Sequence, residues 1–361
     1  MSQLARDCLK NLSKYIPGKQ EEDVKEEFGL SSVIKLASNE NPLGSSPKAL
    51  SAAKKALKES SKYPDQHHVP LRNALADKFG LLPDNFVVGN GSDEIMLLIA
   101  QTFLSAGQEA VLSDNTFSVY EFVTKLMDGK PLHVVLKDHA YDIDGFVEKI
   151  NSKTKLVFLC NPNNPTGTIV AAGKIEDLLS KVSKDTVVVV DEAYGDYCER
   201  EEFTSAAGLI GKYDNLIVLK TFSKIYGLAA LRVGYGVASK KLIECLNLVK
   251  MPFNVNRIGQ IAALAALDDA EFVKKSIKNN SLGKKYLYKE LSKLGLSFLK
   301  TQANFIYIDL KRNAEEVFVK LMQRGIIIRP LNSFGLPTAI RVTIGKPFQN
   351  REFIRSLREI L

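Results

Sequence analysis

The chain has 361 residues, 45% hydrophobic and 25% charged, so it can bury a large core over two or more compact domains, and the composition argues against disorder. Its 49 Lys and Arg outnumber 41 Asp and Glu to give a formal charge of +8, but the lysines fall in scattered pairs such as Lys54-Lys55 and Lys240-Lys241. No basic block with interleaved aromatics emerges, so the charge reads as a solvated surface with a modest attraction for anionic substrates, and no nucleic-acid partner is expected.

Cys8, Cys160, Cys198 and Cys245 stand at no metal-ligand spacing, the first residues lack an apolar signal segment, and no stretch is long enough to cross a bilayer. The expectation is a soluble, cytoplasmic, thiol-containing protein with no metal and no membrane contact.

Taken in order, residues 51–60 and 71–79 read as helices, 86–89 as a short strand and 93–104 as a strongly apolar helix. Further strands are predicted at 109–112, 132–136, 156–160, 186–191 and 215–220. Most are continuous apolar runs, the signature of strands covered on both faces, which predicts an α/β fold with a mostly parallel sheet flanked by helices. After about residue 268 the texture changes. A Lys-rich helix (271–294) leads into strands at 298–299, 304–310, 326–329 and 339–344, with a helix at 314–324, as in a smaller α+β domain. The expected division is an arm over 1–30 that packs on another domain or a partner subunit, a large domain over 31–267 and a small domain over 268–361.

Five segments carry candidate chemistry, each where a strand gives way to a loop or helix, the place where α/β sheets gather ligands. Gly89-Asn90-Gly91-Ser92-Asp93 precedes the apolar helix and suits an anion at a helix N-terminus, although such a turn is also an ordinary cap. Asn161-Pro162-Asn163-Asn164-Pro165-Thr166-Gly167 is a rigid loop able to present an Asn amide in one orientation. Asp191-Glu192-Ala193-Tyr194 ends an apolar strand in a carboxylate, either a helix cap or surface salt bridge, or an ion held beside a cation such as a protonated pyridine. Thr221-Phe222-Ser223-Lys224, followed by Arg232, combines hydroxyls and Arg for a phosphate with a Lys that can act as a Schiff-base nucleophile. Arg341, with Arg329 shortly before it, can clamp a carboxylate or phosphate, or lie on an exposed edge. Together they make the donor set that pyridoxal phosphate requires.

With these motifs in this order, and with Ser38-Asn39-Glu40-Asn41-Pro42 and Tyr15-Ile16-Pro17-Gly18, the chain resembles the fold-type I aminotransferases, and within them the histidinol-phosphate aminotransferases, over nearly its full length. The resemblance implies pyridoxal 5'-phosphate carried by Lys224 as a Schiff base, with Asp191 on the pyridine N–H and Asn164 and Tyr194 on the ring oxygen. It implies Gly91, Ser92, Asp93, Thr221, Ser223 and Arg232 around the cofactor phosphate and Phe117 stacked on the ring, where many relatives carry Tyr. It also implies a homodimer with shared sites, in which Tyr63 reaches the neighbour's site, while Tyr15, Asn39, Arg329 and Arg341 bind substrate. The implied reaction moves an amino group from L-histidinol phosphate to 2-oxoglutarate. Aromatic aminotransferases and threonine-phosphate decarboxylases share the same cradle.

Overall fold

Continuous apolar runs settle where water is excluded from both faces, and the strands that carry them build the centre of the molecule. The computed structural model describes residues 4–12 and 18–361. Its main sheet has seven strands: β2 (Phe86–Gly89), β3 (Glu109–Ser113), β4 (Lys130–Val134), β5 (Thr154–Cys160), β6 (Val187–Asp191), β7 (Leu216–Thr221) and β8 (Gly234–Ala238). Their order is β2-β8-β7-β6-β5-β3-β4. All neighbours pair in parallel except β8, which runs antiparallel to both β2 and β7. In β6, Val187 to Val190 are buried on both sides, so the run ends in the core until Asp191 reaches the strand's carboxyl end.

Helices α2 (Pro47–Ala56), α3 (Val69–Phe79), α4 (Gly91–Phe103), α5 (Val119–Leu126), α6 (Ile143–Lys149), α7 (Ala172–Lys181), α8 (Lys240–Val249) and α9 (Arg257–Leu267) accompany this sheet, after a first helix α1 (Glu21–Phe28). Helix α4 is apolar nearly all round because it is packed nearly all round: Ile95, Met96, Leu98, Ile99 and Ala100 are all buried. The larger of these side chains each contribute ~1.5–3 kcal/mol by leaving water. Ile99→Asp would place an unpaired charge there and unseat the helix whose N-terminus faces the site.

A second core lies under a four-stranded antiparallel sheet, β12 (Arg329–Pro330), β13 (Ala339–Thr343), β10 (Phe305–Asp309) and β9 (Ser297–Phe298). Helices α10 (Ala270–Lys293), α11 (Ala314–Met322) and α12 (Pro347–Ile360) complete it. Residues 31–37, which the sequence places with the large domain, lie here instead. β1 (Ile34–Lys35) pairs in parallel with β11 (Ile326–Ile327), and Val24, Leu36 and Ala37 are buried in this core. The predicted strand 326–329 is really two. The chain leaves β11 at Ile328 and joins β13 through Arg329 and Pro330. Pro330 lacks an N–H to donate, and it stands on the sheet's edge strand, where none is needed.

Candidate active site

The carboxyl ends of β5, β6 and β7, the start of α4 and strands β12 and β13 converge on one cavity of about 770 Å³. Its walls include Asn39, Ser92, Asp93, Phe117, Asn164, Asp191, Tyr194, Thr221, Ser223, Lys224, Arg232, Arg329 and Arg341. Register explains part of the convergence. Cys160 and Asp191 are partners across β5 and β6, and Asp191 and Leu219 across β6 and β7, so the loops that follow open side by side.

At one end the N-terminus of α4 meets β8 and Arg232. A Cβ on Gly234 would lie 2.6 Å from the Ser92 amide nitrogen, so only glycine lets the strand come this close. Gly91 has φ +77°, and a Cβ there would lie 2.6 Å from Arg232 Nη2. Arg232 Nη2 also lies 3.2 Å from Asp93 Oδ2. Thr221 donates to the Ser223 hydroxyl at 3.0 Å. Helix amides, two hydroxyls and a guanidinium form an anion cradle. Gly91 shapes it without lining the cavity.

In the middle stands Asp191, 3% exposed. Its Oδ2 accepts the Tyr120 hydroxyl at 2.8 Å and its Oδ1 the Ala193 N–H at 3.0 Å. Burial raises its pKa to about 6, with the Tyr120 and Ala193 hydrogen bonds opposing that rise and Asp93 and Glu192 adding to it. A buried carboxylate on a cavity wall is a site for a cationic partner.

Two lysines five positions or fewer from Leu219 behave in opposite ways. Lys220 is 5% exposed, with Nζ 3.3 Å from Glu192 Oε2 and 3.8 Å from Asp196 Oδ1. Burial alone would lower its pKa, but those two carboxylates outweigh it and keep the ammonium charged. Lys224 faces the cavity, where Nζ donates to the Ser38 carbonyl at 3.2 Å. Lost solvation first, and then the charge of Arg341, lower its pKa to about 8. An amine so placed is uncharged in part near neutrality, as a nucleophile or proton carrier must be.

Tyr194 is held from both sides. Its hydroxyl accepts from Asn39 Nδ2 at 3.0 Å, and its ring lies 5.7 Å from Lys224 Nζ. Burial pushes the phenol up to about 12, against the pull of Arg341 and Asn39. Asn39 has φ 56° and is tied in turn to Thr343, whose hydroxyl accepts its N–H at 2.9 Å. Arg341 donates to Asn164 Oδ1 and, at 2.7 Å, to the Ala37 carbonyl. Arg329 is its direct partner across β12 and β13, so two guanidinium residues stand on adjacent strands of one wall.

Tyr63 is not among the cavity-lining residues: it is 79% exposed and stacks on Phe253 with centroids 4.7 Å apart. Tyr15 lies outside the described residues. Sequence reading missed Ser38, Ser118, Phe122 and Phe334 on the walls, and Tyr120 behind them. The three-residue spacing of Phe117 and Tyr120, across the start of α5, was the available signal, and it reads equally as core.

The histidinol-phosphate aminotransferase of Moorella thermoacetica is 47% identical over 99% of this chain and 92% of its own length. That of Caldicellulosiruptor saccharolyticus is 45% identical over 99% of both. The crystal structure of histidinol-phosphate aminotransferase from Sinorhizobium meliloti in complex with pyridoxal-5'-phosphate superposes with a TM-score of 0.90 at 25% identity, over 100% of this chain and 99% of that one. Residues 31–357 match the family described as aminotransferase class I and II, and the chain therefore belongs to the class I and II aminotransferases.

Proposed function

We propose that the protein transfers the amino group of L-histidinol phosphate to 2-oxoglutarate with pyridoxal 5'-phosphate, giving imidazole acetol phosphate and glutamate in L-histidine biosynthesis. The observation that carries this reading is a single cavity in which an anion cradle, a buried carboxylate and a lysine of lowered pKa are joined by a second, two-arginine wall. The names of the relatives at 45–47% identity support the donor.

The residues present fit the cofactor. The close approach of Gly234 to the Ser92 amide and of Gly91 to Arg232 leaves helix amides and a guanidinium open to a phosphate, with Thr221 and Ser223 beside them. Asp191 would meet the ring nitrogen, Asn164 and Tyr194 the ring oxygen, and Phe117 a ring face. Lys224 would hold the aldehyde carbon covalently. When bound, the cofactor supplies an electron sink for the pair left on the donor's α-carbon.

The chain's own groups do the rest. Asp191, kept ionised by two donors, holds the proton on the ring nitrogen. With the donor amine in its place, Lys224 Nζ would take the proton from the donor's α-carbon and deliver it to a different atom, the cofactor's former aldehyde carbon, so that the amino nitrogen stays with the cofactor. The lowered pKa of Lys224 supplies the free base for that transfer. Asn39 and Tyr194 enclose the amine. Arg329 and Arg341 take the donor phosphate, or the glutamate carboxylate in the reverse half, and Tyr15 joins them.

We further propose a cytoplasmic homodimer with shared sites. Phe253 is exposed and stacks on Tyr63, Leu248 and Met251 shortly before it in the chain are exposed as well, and such apolar exposure favours a second subunit that receives Tyr63 in its cavity. Among the described residues no helix is long and apolar enough to cross a membrane. The chain divides near residue 268 into a larger cofactor-binding part and a smaller part, with residues up to about 30 as an arm on the latter.

The test is a half-reaction. Purified protein loaded with cofactor is mixed separately with L-histidinol phosphate, L-phenylalanine and threonine phosphate, without 2-oxoglutarate, and the cofactor's visible absorbance is followed. Rapid loss with histidinol phosphate, well ahead of phenylalanine, is expected. Loss with phenylalanine alone, or carbon dioxide release from threonine phosphate, contradicts the donor assignment.

A further inference from the structure

Tyr120 is not one of the cavity-lining residues, yet it touches two that are. Its hydroxyl donates to Asp191 Oδ2 at 2.8 Å, and its ring meets Phe117 edge-on with centroids 5.8 Å apart. A third contact holds the ring itself: it lies flat on Phe158, 5.0 Å between centroids and 8° from parallel. The side chain is fully buried and has no freedom to reorient. A phenylalanine would fill the same space and make the same ring contacts. The hydroxyl serves the Asp191 carboxylate, with the neutral Cys160 thiol also beside it.

We propose that Tyr120 is a positioning residue for the reaction, because one buried side chain orients both the carboxylate that meets the cofactor's ring nitrogen and the aromatic ring that stacks on the cofactor's face. The inference rests on the pyridoxal-phosphate reading of the cavity. Through the hydroxyl, Tyr120 supplies one of two hydrogen-bond donors to a carboxylate that burial would otherwise neutralise. The titratable groups that face Asp191 are few. Asp93 at the start of α4 and Glu192 on the following residue push its proton affinity up. Cys160 on β5, Tyr141 and Tyr194 also face it, and burial pushes the ionisation of each of these upward, so they stay neutral near pH 7. Tyr120 and the Ala193 amide are the two donors that help to hold it ionised.

The test uses the full chain stripped of cofactor and titrated with pyridoxal 5'-phosphate from about pH 5 to pH 8, bracketing the Asp191 titration. Tyr120→Phe is expected to weaken binding roughly tenfold and to move the acid limb of the binding curve up by about one pH unit, as loss of a charge-assisted hydrogen bond requires. Its melting temperature should stay close to the wild type's, because the ring contacts remain. In an Asp191→Asn background the same change should leave the pH dependence untouched. Tyr120→Leu, which also frees Phe117, should alter the circular dichroism of the bound cofactor, whereas Tyr120→Phe should preserve it. Identical affinity and acid limb in the wild type and Tyr120→Phe overturns the proposal, as does an equal pH shift in the Asp191→Asn background. Failure of the wild type itself to bind pyridoxal 5'-phosphate removes the cofactor reading, a result distinct from either.

Discussion

The floor and the mouth of the cavity are built on different principles. On the floor, Asp191, Tyr194, Thr221 and Ser223 are each 3–6% exposed and stand at or just beyond the ends of central strands. At the mouth, Leu12, Gly18, Phe122 and Arg329 come from the N-terminal region, an exposed helix face and a two-residue edge strand. Register and hydrogen bonds fix each floor group from two directions, as they do Asp191 between Tyr120 and Ala193. The mouth groups are set by long-range meetings of segments. A rigid floor suits chemistry common to a whole family, because reacting groups must be held within fractions of an ångström. A mouth of separate segments suits the choice of donor, because it can change without moving the floor.

Removing a floor group should therefore affect every donor alike, and the largest effect is expected at Lys224. Lys224→Ala should lower turnover with all donors by about 10⁴-fold or more, since it removes both the covalent anchor and the proton carrier. Steady-state kinetics with two donors checks this, and a loss confined to one donor would mean that Lys224 belongs to the mouth.

The next effect is on stability and comes from Asp191. Its folded-state pKa of about 6 lies above its ordinary 3.8, so the fold favours the protonated acid. That contribution is complete below about pH 4 and is lost as pH rises through 6. For this fully enclosed group the loss is about 3 kcal/mol at most, by the usual conversion of a pKa shift. Urea unfolding of cofactor-free protein at pH 4 and pH 7 should show it, relative to Asp191→Asn, whose dependence should be flatter. Parallel pH dependences in the two proteins would show that Asp191 titrates normally.

How much of this contrast can be read from the chain follows from what each part depends on. The floor strands announce themselves, since Val187 to Val190 can sit only where both faces are covered, and the loop residues after them follow from strand ends. Strand β8 is not among the predicted strands, because two glycines in Gly234–Ala238 break up any continuous apolar run; its antiparallel course appears only once it is seen between β2 and β7. The pairing of Ile34–Lys35 with Ile326–Ile327 joins segments almost 300 positions apart, and no local pattern encodes it. Tyr120 hid for another reason. A buried Tyr in an amphipathic helix looks like core until its hydroxyl is seen to end on Asp191.

At the mouth the effects should be smaller and selective. Arg329→Ala should weaken a phosphorylated donor by roughly tenfold to a hundredfold in kcat/KM, the range for one charge-assisted contact, and phenylalanine by little. Equal losses for both donors would argue that Arg329 only supports Arg341 across the strand pair.

The smallest signal concerns the partner subunit. Tyr63→Ala and Lys224→Ala proteins, each poor alone, should regain about a quarter of wild-type activity when mixed and allowed to exchange subunits, because half the dimers then hold one intact shared site. No recovery on mixing, with exchange confirmed by native mass spectrometry, would place Tyr63 outside the neighbour's site.

On the reading proposed above, Lys224 and not its buried neighbour Lys220 carries the cofactor. Protein loaded with pyridoxal 5'-phosphate is reduced with borohydride, digested, and the labelled peptide sequenced by mass spectrometry. One stoichiometric label is expected, on Lys224, whose amine faces the cavity with a lowered pKa. A label on Lys220, which Glu192 and Asp196 hold charged, or a label spread over surface lysines, would contradict it.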